Sequence, residues 1–193
     1  ATLRKRWENF NQKMEERKEM YVEAVLVSTK ENRFWLKHVK HRNFLDLSVV
    51  YITGDADRNR SIVPNNAPIE EPALYRDAMD FLDKVGCFVI DPSMAQRMFW
   101  LPEYINPHLW VFTVSNLRYG ASVILLPKNL EEIRKSIGED YYILPSSKHE
   151  VMAMPASAFD VEALHSAVGI INKNEIAPED KLSDSIYLYS DGN

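Results

Sequence analysis

Trp110-Val111-Phe112-Thr113-Val114-Ser115-Asn116-Leu117-Arg118-Tyr119-Gly120-Ala121-Ser122-Val123-Ile124-Leu125-Leu126 is the stretch on which the fold turns. Two apolar, β-rich runs, Trp110–Ser115 and Ala121–Leu126, flank a short linker that contains Asn116 and Gly120. Runs of that composition so close together predict a hairpin, hence antiparallel pairing. Pro127 then opens a helix with Leu130, Ile133 and Ile137 on one side, and Gly138 stands at its C-terminal cap. Tyr141–Leu144 reads as the next strand, Pro145-Ser146-Ser147 breaks it, and Glu150–Met154 resumes extended structure. These four runs are expected in one sheet, with the helix from about Lys128 to Ile137 packed on one face.

The same signals extend in both directions. Ser157–Asn172 reads as a helix with Val161, Leu164, Val168 and Ile171 inward, and with Ser157 and Asp160 resembling a capping box. Ser185–Tyr189 is a final strand. Upstream, Cys87–Ile90 is a short strand and Pro92–Trp100 a helical turn. Pro72 opens a helix with Leu74, Ala78, Phe81 and Leu82 inward, and Gly86 closes it. Glu70 and Glu71 suit its positive N-terminus. Phe44–Thr53 reads as one strand without clean alternation, so both its faces should be covered. Ser61–Val63 is a further short strand. Lys30–His38 reads as a short helix with Phe34 and Val39 inward. Leu3, Trp7, Phe10, Met14, Tyr21 and Val25 recur at helical spacing. The fold class that follows is α+β: a mostly antiparallel sheet with helices packed on it, preceded by an N-terminal amphipathic helical segment. A single domain over 1–193 is expected, with a basic helical arm at 1–43 and an acidic α+β body at 44–193.

Composition sets limits. The chain has 193 residues, 46% apolar and 26% charged, which suits an ordinary globular core. Cys87 is its one cysteine, so a disulfide scaffold and a cysteine zinc site are excluded. No apolar run approaches a membrane span, and the polar start Ala1–Arg6 lacks the apolar core of a signal peptide. A chain that begins at Ala1 is either processed or cut at a boundary. Residues 1–43 carry 11 Lys/Arg against 6 Asp/Glu, a balance of +5, and the remainder 12 against 22, a balance of −10. An acidic body is a poor partner for nucleic acid; only the basic first 43 residues could touch phosphates, with strongly salt-dependent strength.

Three groups of residues invite chemistry. Ser146, Ser147, His149 and Glu150 lie within five positions and suggest a hydrolase. Alternation along an extended segment puts Ser147 with His149 but Ser146 with Glu150. Catalytic triads usually converge from separate elements, and there is no G-x-S-x-G elbow. Serines after a proline bond the backbone in turns. His38 and His41 would share a helix face, but Lys37, Lys40 and Arg42 repel a metal cation. A basic surface patch there would suit an acidic partner or phosphate. Glu131, Glu132, Glu139 and Asp140 read as a solvated face, because Glu131 and Glu132 point to different sides of a helix. Trp7, Phe10, Trp35, Trp100 and Trp110 are core candidates, and any exposed share would mark a protein interface. Cys87 reads as a small buried hydrophobe. No phosphate-binding glycine loop is present, and no cofactor, metal or catalytic residue is assigned.

Asn43-Phe44-Leu45-Asp46-Leu47-Ser48-Val49-Val50-Tyr51, Tyr119-Gly120-Ala121-Ser122-Val123-Ile124-Leu125, Leu144-Pro145-Ser146-Ser147-Lys148-His149-Glu150-Val151, and Leu182-Ser183-Asp184 before Ile186-Tyr187-Leu188-Tyr189 carry a resemblance. In this order and spacing the chain, from about 35 to 190, resembles a bacterial domain-of-unknown-function family of clostridial-type gut anaerobes. That family often lies in or near mobile genetic elements, and its longer members carry further N-terminal sequence. The resemblance implies a fold and a cytoplasmic setting and no activity. The expected function is therefore a non-enzymatic protein-binding or regulatory domain. One version is a mobile-element-encoded inhibitor of a host defence nuclease, of the anti-CRISPR type. The alternative is a hydrolase that uses Ser146–Glu150. The candidate binding residues are Lys37, His38, Lys40, His41, Arg42, Ser146, Ser147, His149 and Glu150. The partner is expected to be another protein, with no membrane; the oligomeric state is left open.

Overall fold

The computed structural model describes residues 21–190 except 56–58, 99–102, 104, 146 and 175. The expected helix from Leu3 to Met14, Trp100 and Ser146 lie outside the described residues. The described chain is α+β, with two antiparallel sheets and helices. It divides into two compact units, Ala1–Lys84 and Val85–Asn193.

In the first unit, β1 (Tyr21–Ser28), β2 (His41–Phe44) and β4 (Arg60–Ile62) all pair antiparallel with β3 (Leu47–Gly54). Strand β3 is central and buried at every position, as its lack of clean alternation predicts. The expected Phe44–Thr53 strand is two strands, because the chain reverses at Leu45-Asp46, where Phe44 faces Leu47. Tyr21 and Val25 belong to a strand rather than to the expected helix. Val22, Val25 and Leu26 satisfy a strand buried on both faces as well as they satisfy a helical stripe, so spacing alone could not separate the two.

Strands β1 and β2 flank β3 and run parallel to each other, so residues 29–40 are a crossover. The crossover contains α1 (Thr29–Asn32) and a 3-10 turn, Trp35–His38. Ser28 caps α1, its hydroxyl accepting the Glu31 N–H at 3.4 Å. The chain bends at Arg33-Phe34 instead of continuing as one helix. That bend turns Leu36 and Val39 inward and leaves Phe34 67% exposed, the reverse of the expectation for Phe34. Helix α2 (Glu71–Val85) buries Leu74, Ala78 and Leu82, and its Phe81 stacks on Tyr21 with ring centroids 4.6 Å apart. It ends before Gly86, as predicted, with φ +76 there.

The second unit holds β5 (Cys87–Ile90), β6 (Trp110–Val114), β7 (Tyr141–Leu144), β8 (Val151–Pro155) and β9 (Tyr187–Tyr189) in the order β5-β6-β8-β7-β9. Three of the four expected runs are therefore neighbouring strands of one sheet. The fourth is not a strand: Gly120–Leu125 is a 3-10 turn in which all six residues are buried. A short apolar run with no alternation fits a buried turn as readily as a buried strand. The expected hairpin is thus replaced by the pairing of β6 with β8.

Side chains alternate across this sheet. Val111, Leu144, Met152 and Met154 form a core with Ile90, Leu109, Leu164, Ala167, Val168 and Ile171. That face takes α3 (Pro92–Met98) and α5 (Val161–Asn174). Tyr141 points to the other face, where its hydroxyl donates to the Leu130 carbonyl of α4 (Pro127–Ile137) at 2.9 Å. Ile133 of α4 is 1% exposed. Helix α5 starts later than expected. Asp160, not Ser157, caps it by accepting the Ala163 N–H at 2.7 Å, and Val161 is exposed rather than inward.

Candidate functional site

The Pro145–Glu150 segment is tied from several directions. Ser147 bridges Lys181 in antiparallel fashion and is 3% exposed. The Lys148 N–H donates to the Asp180 carbonyl at 2.9 Å, and the Ser183 N–H donates to the Pro145 carbonyl at 3.2 Å. The Ala121 N–H donates to the Lys148 carbonyl at 3.3 Å. Thr113 donates through its hydroxyl to the His149 carbonyl at 2.8 Å. Gly120 sits where a Cβ would run into the Thr113 hydroxyl and the His149 carbonyl, so no other residue fits without displacement.

The described side chains Ser147, His149 and Glu150 each have defined partners. The Ser147 hydroxyl accepts the backbone N–H of His149 at 3.0 Å and also hydrogen-bonds the Glu150 carboxyl. His149 stacks on Tyr119 with centroids 5.5 Å apart, and its Nδ1 accepts the Tyr119 N–H at 3.4 Å. That acceptance leaves the ring proton on Nε2, which lies 3.5 Å from Asp180 Oδ1. Asp180 also holds Lys148 Nζ at 2.6 Å, which keeps its carboxyl below the usual range. Burial pushes the Glu150 carboxyl above its ordinary value, against the Ser147 hydrogen bond. A serine nucleophile needs a ring nitrogen of its histidine free to take the hydroxyl proton. Here Nδ1 receives a backbone donor, Nε2 faces a carboxylate, and Ser147 bonds elsewhere. The segment is a hydrogen-bonded turn.

The basic residues divide differently. Arg42 lies on β2 and forks onto Glu71, with Nε–Oε1 at 2.9 Å and Nη2–Oε2 at 2.8 Å. Its guanidinium lies 3.8 Å over the Tyr75 ring. Tyr51, fully buried, donates its hydroxyl to the same Glu71 carboxylate. Burial pushes the Tyr51 hydroxyl up, with Glu71 adding to it, while Arg42 and Tyr51 hold Glu71 below the usual carboxylate range despite its burial. His41 hydrogen-bonds the Val39 carbonyl at 3.1 Å through Nδ1. His38 ends the 3-10 turn and His41 begins β2, so the two histidines do not share a helix face.

Lys37 and Lys40 stand apart from these bonds, and two residues that sequence reasoning passed over join them. Arg33 lies 4.8 Å and Lys37 Nζ 5.6 Å from the centroid of the exposed Phe34 ring. Lys30, Arg33, Lys37 and Lys40 make no salt bridge among the described residues. Their spacing of three, four and three residues was legible in the sequence. The chain carries them on the 29–40 crossover, where Lys30, Arg33 and Lys37 are exposed and Lys40 is half-buried.

Cys87 is half-buried, and burial with nearby Glu132 pushes its thiol up to about 11, so it is a protonated thiol at neutral pH. Among the described residues no group of three or more His, Cys, Asp or Glu is placed to hold a metal. Among them, too, no helix is long and apolar enough to cross a membrane.

A comparison with curated proteins finds no match. A comparison with solved structures finds none either. A family model, by contrast, matches almost the whole chain, including the stretch before residue 35 that the sequence resemblance did not reach. The chain belongs to this family, described as a family of unknown function (DUF5688), whose model covers residues 4–191.

Proposed function

We propose that this protein is a non-enzymatic protein-binding domain and that the outer side of the 29–40 crossover is its contact surface. One observation carries the reading. Phe34 is 67% exposed, and its ring carries the cations of Arg33 and Lys37 beside it. Aromatic and Arg side chains supply most of the strong anchors of protein interfaces. Of the side chains that suggested hydrolysis, Ser147, His149 and Glu150 have other partners, which gives no comparable support to an enzyme.

The test uses the full chain with a photocrosslinking side chain in place of Phe34, irradiated in a lysate of the source cells. A single adduct is expected, which reconstitutes with purified partner and is absent when the crosslinker replaces Lys84. Crosslinking no stronger at 34 than at 84 would overturn the reading. The family resemblance adds a bacterial, cytoplasmic and mobile-element setting and a concrete partner class, a host defence nuclease of the CRISPR type. That version predicts a stable complex with the effector and loss of DNA cleavage. An unbound effector that cleaves normally would remove it and leave the general reading in place.

A further inference from the structure

We infer that the crossover surface built on Arg33, Phe34 and Lys37, with Lys30 and Lys40 as further cations of the same crossover, docks an acidic segment of a partner protein; the inference rests on the protein-binding reading and names the chemistry of its partner. Charge is the first argument. Residues 29–42 carry five Lys/Arg against the single Glu31, a balance of +4 in a chain whose net charge is −5. The Arg42 charge is answered by Glu71, whereas Lys30, Arg33, Lys37 and Lys40 have no carboxylate among the described residues. Unanswered cations of this density attract an anion and steer its approach.

The aromatic ring selects between anions. A ring has a negative face and a positive edge. Arg33 and Lys37 lie over the Phe34 face, the ordinary cation–π arrangement. The positively polarised edge of this exposed ring suits carboxylate oxygens. A nucleic-acid base would stack on the ring face, where it competes with these cations. The acidic remainder of the chain also opposes a long polyanion. A second copy of this chain would also supply carboxylates, and self-association is the outcome that distinguishes that occupant.

The test measures anisotropy of a short fluorescein-labelled peptide of glutamates around one leucine, titrated with the full chain at low salt. Binding is expected, weakening as salt rises. Arg33→Glu with Lys37→Glu should weaken it about tenfold or more. Lys84→Glu with Lys135→Glu, the same change in net charge at exposed positions elsewhere, should change it by less than about twofold. Phe34→Ala should weaken it about threefold with all charges kept. Circular dichroism confirms that each variant is folded. Equal losses in the two double variants would overturn the inference, as would tighter binding of a labelled single-stranded oligonucleotide. Self-association that disappears in the Arg33/Lys37 variant would assign the surface to a second copy and also overturn it. A partner captured at Phe34 that binds the Arg33→Glu, Lys37→Glu chain undiminished sinks the acidic partner while the protein-binding reading stands.

Discussion

Arg42 and Glu71, twenty-nine positions apart, form a two-pronged ion pair that joins β2 to the first turn of α2. The guanidinium is also stacked on Tyr75, and the carboxylate also accepts the buried Tyr51 hydroxyl. The pair therefore fixes the helix start over the central strand. Arg42→Ala leaves a half-buried carboxylate with one partner and uncovers Tyr75, so it should cost about 1–3 kcal/mol. Arg42→Lys keeps the charge but not the fork, and should recover only part of that loss. Urea denaturation measures both, and equal stability of all three proteins would show the pair to be ornamental.

The acid limb of the stability curve should separate two carboxylates. Glu71 has its folded pKa lowered, so its contribution is present above the ordinary Glu value of 4.5 and is lost as pH falls through the folded value. The stability difference between wild type and Glu71→Gln should be largest above about pH 5 and close in more acid solution. Glu150 is opposite in sign. Its folded pKa is raised, so its contribution is complete below the ordinary value and declines as pH rises through the folded one. Glu150→Gln should therefore gain on wild type as pH rises from about 4 to neutrality. Parallel pH curves for the two variants would contradict these assignments.

Gly120 tests how tightly the 145–150 turn is built. A Cβ at 120 meets the Thr113 hydroxyl, which itself donates to the His149 carbonyl at 2.8 Å. Gly120→Ala should cost about 1–3 kcal/mol by overpacking. Ser147→Ala should cost about 1–2 kcal/mol by leaving the His149 N–H and the Glu150 carboxyl without their hydroxyl partner. Thermal unfolding reads both, and a neutral Gly120→Ala would mean that β6 and the turn separate easily.

Ile133 was legible as core from its spacing with Leu130 and Ile137, and it is 1% exposed. Ile133→Ala should cost about 2–5 kcal/mol in a denaturation experiment. The coverage of β3 on both faces was equally readable from its lack of clean alternation, but the reversal at Leu45-Asp46 that splits it from β2 was not. The run at 121–126 carried the same kind of signal and folds otherwise, since composition does not distinguish a buried 3-10 turn from a buried strand. Phe34 was misplaced for a different reason: helical spacing was continued through a bend at Arg33-Phe34 that no glycine or proline marks. At the candidate site, Ser147, His149 and Glu150 were visible as a cluster. Their partners were not, because Thr113, Tyr119 and Asp180 arrive from distant segments that no spacing rule connects. The unpaired cations of the crossover show the same limit. Lys30, Arg33, Lys37, Lys40 and Arg42 look alike in sequence, and only the fork to Glu71 sets Arg42 apart.

Leu45 offers the sharpest separation of backbone strain from side-chain packing. It is the first turn residue between β2 and β3, has φ +55, and is 63% exposed. A left-handed conformation costs a non-glycine residue roughly 1–2 kcal/mol, and an exposed leucine recovers little of that by burial. Leu45→Gly removes the strain and costs roughly 0.5–1 kcal/mol in unfolded-chain entropy. The variant should therefore be more stable than wild type by about 0.5–1 kcal/mol, with an unchanged denaturant slope. Tyr119, at φ +53, is the contrasting case, because its ring stacks on His149 at 5.5 Å. Tyr119→Gly should lose that contact and end less stable than wild type, so strain is offset by packing at 119 and not at 45. A Leu45→Gly protein that is less stable than wild type would show that the exposed leucine packs in solution and that burial, not strain, decides the balance at this turn.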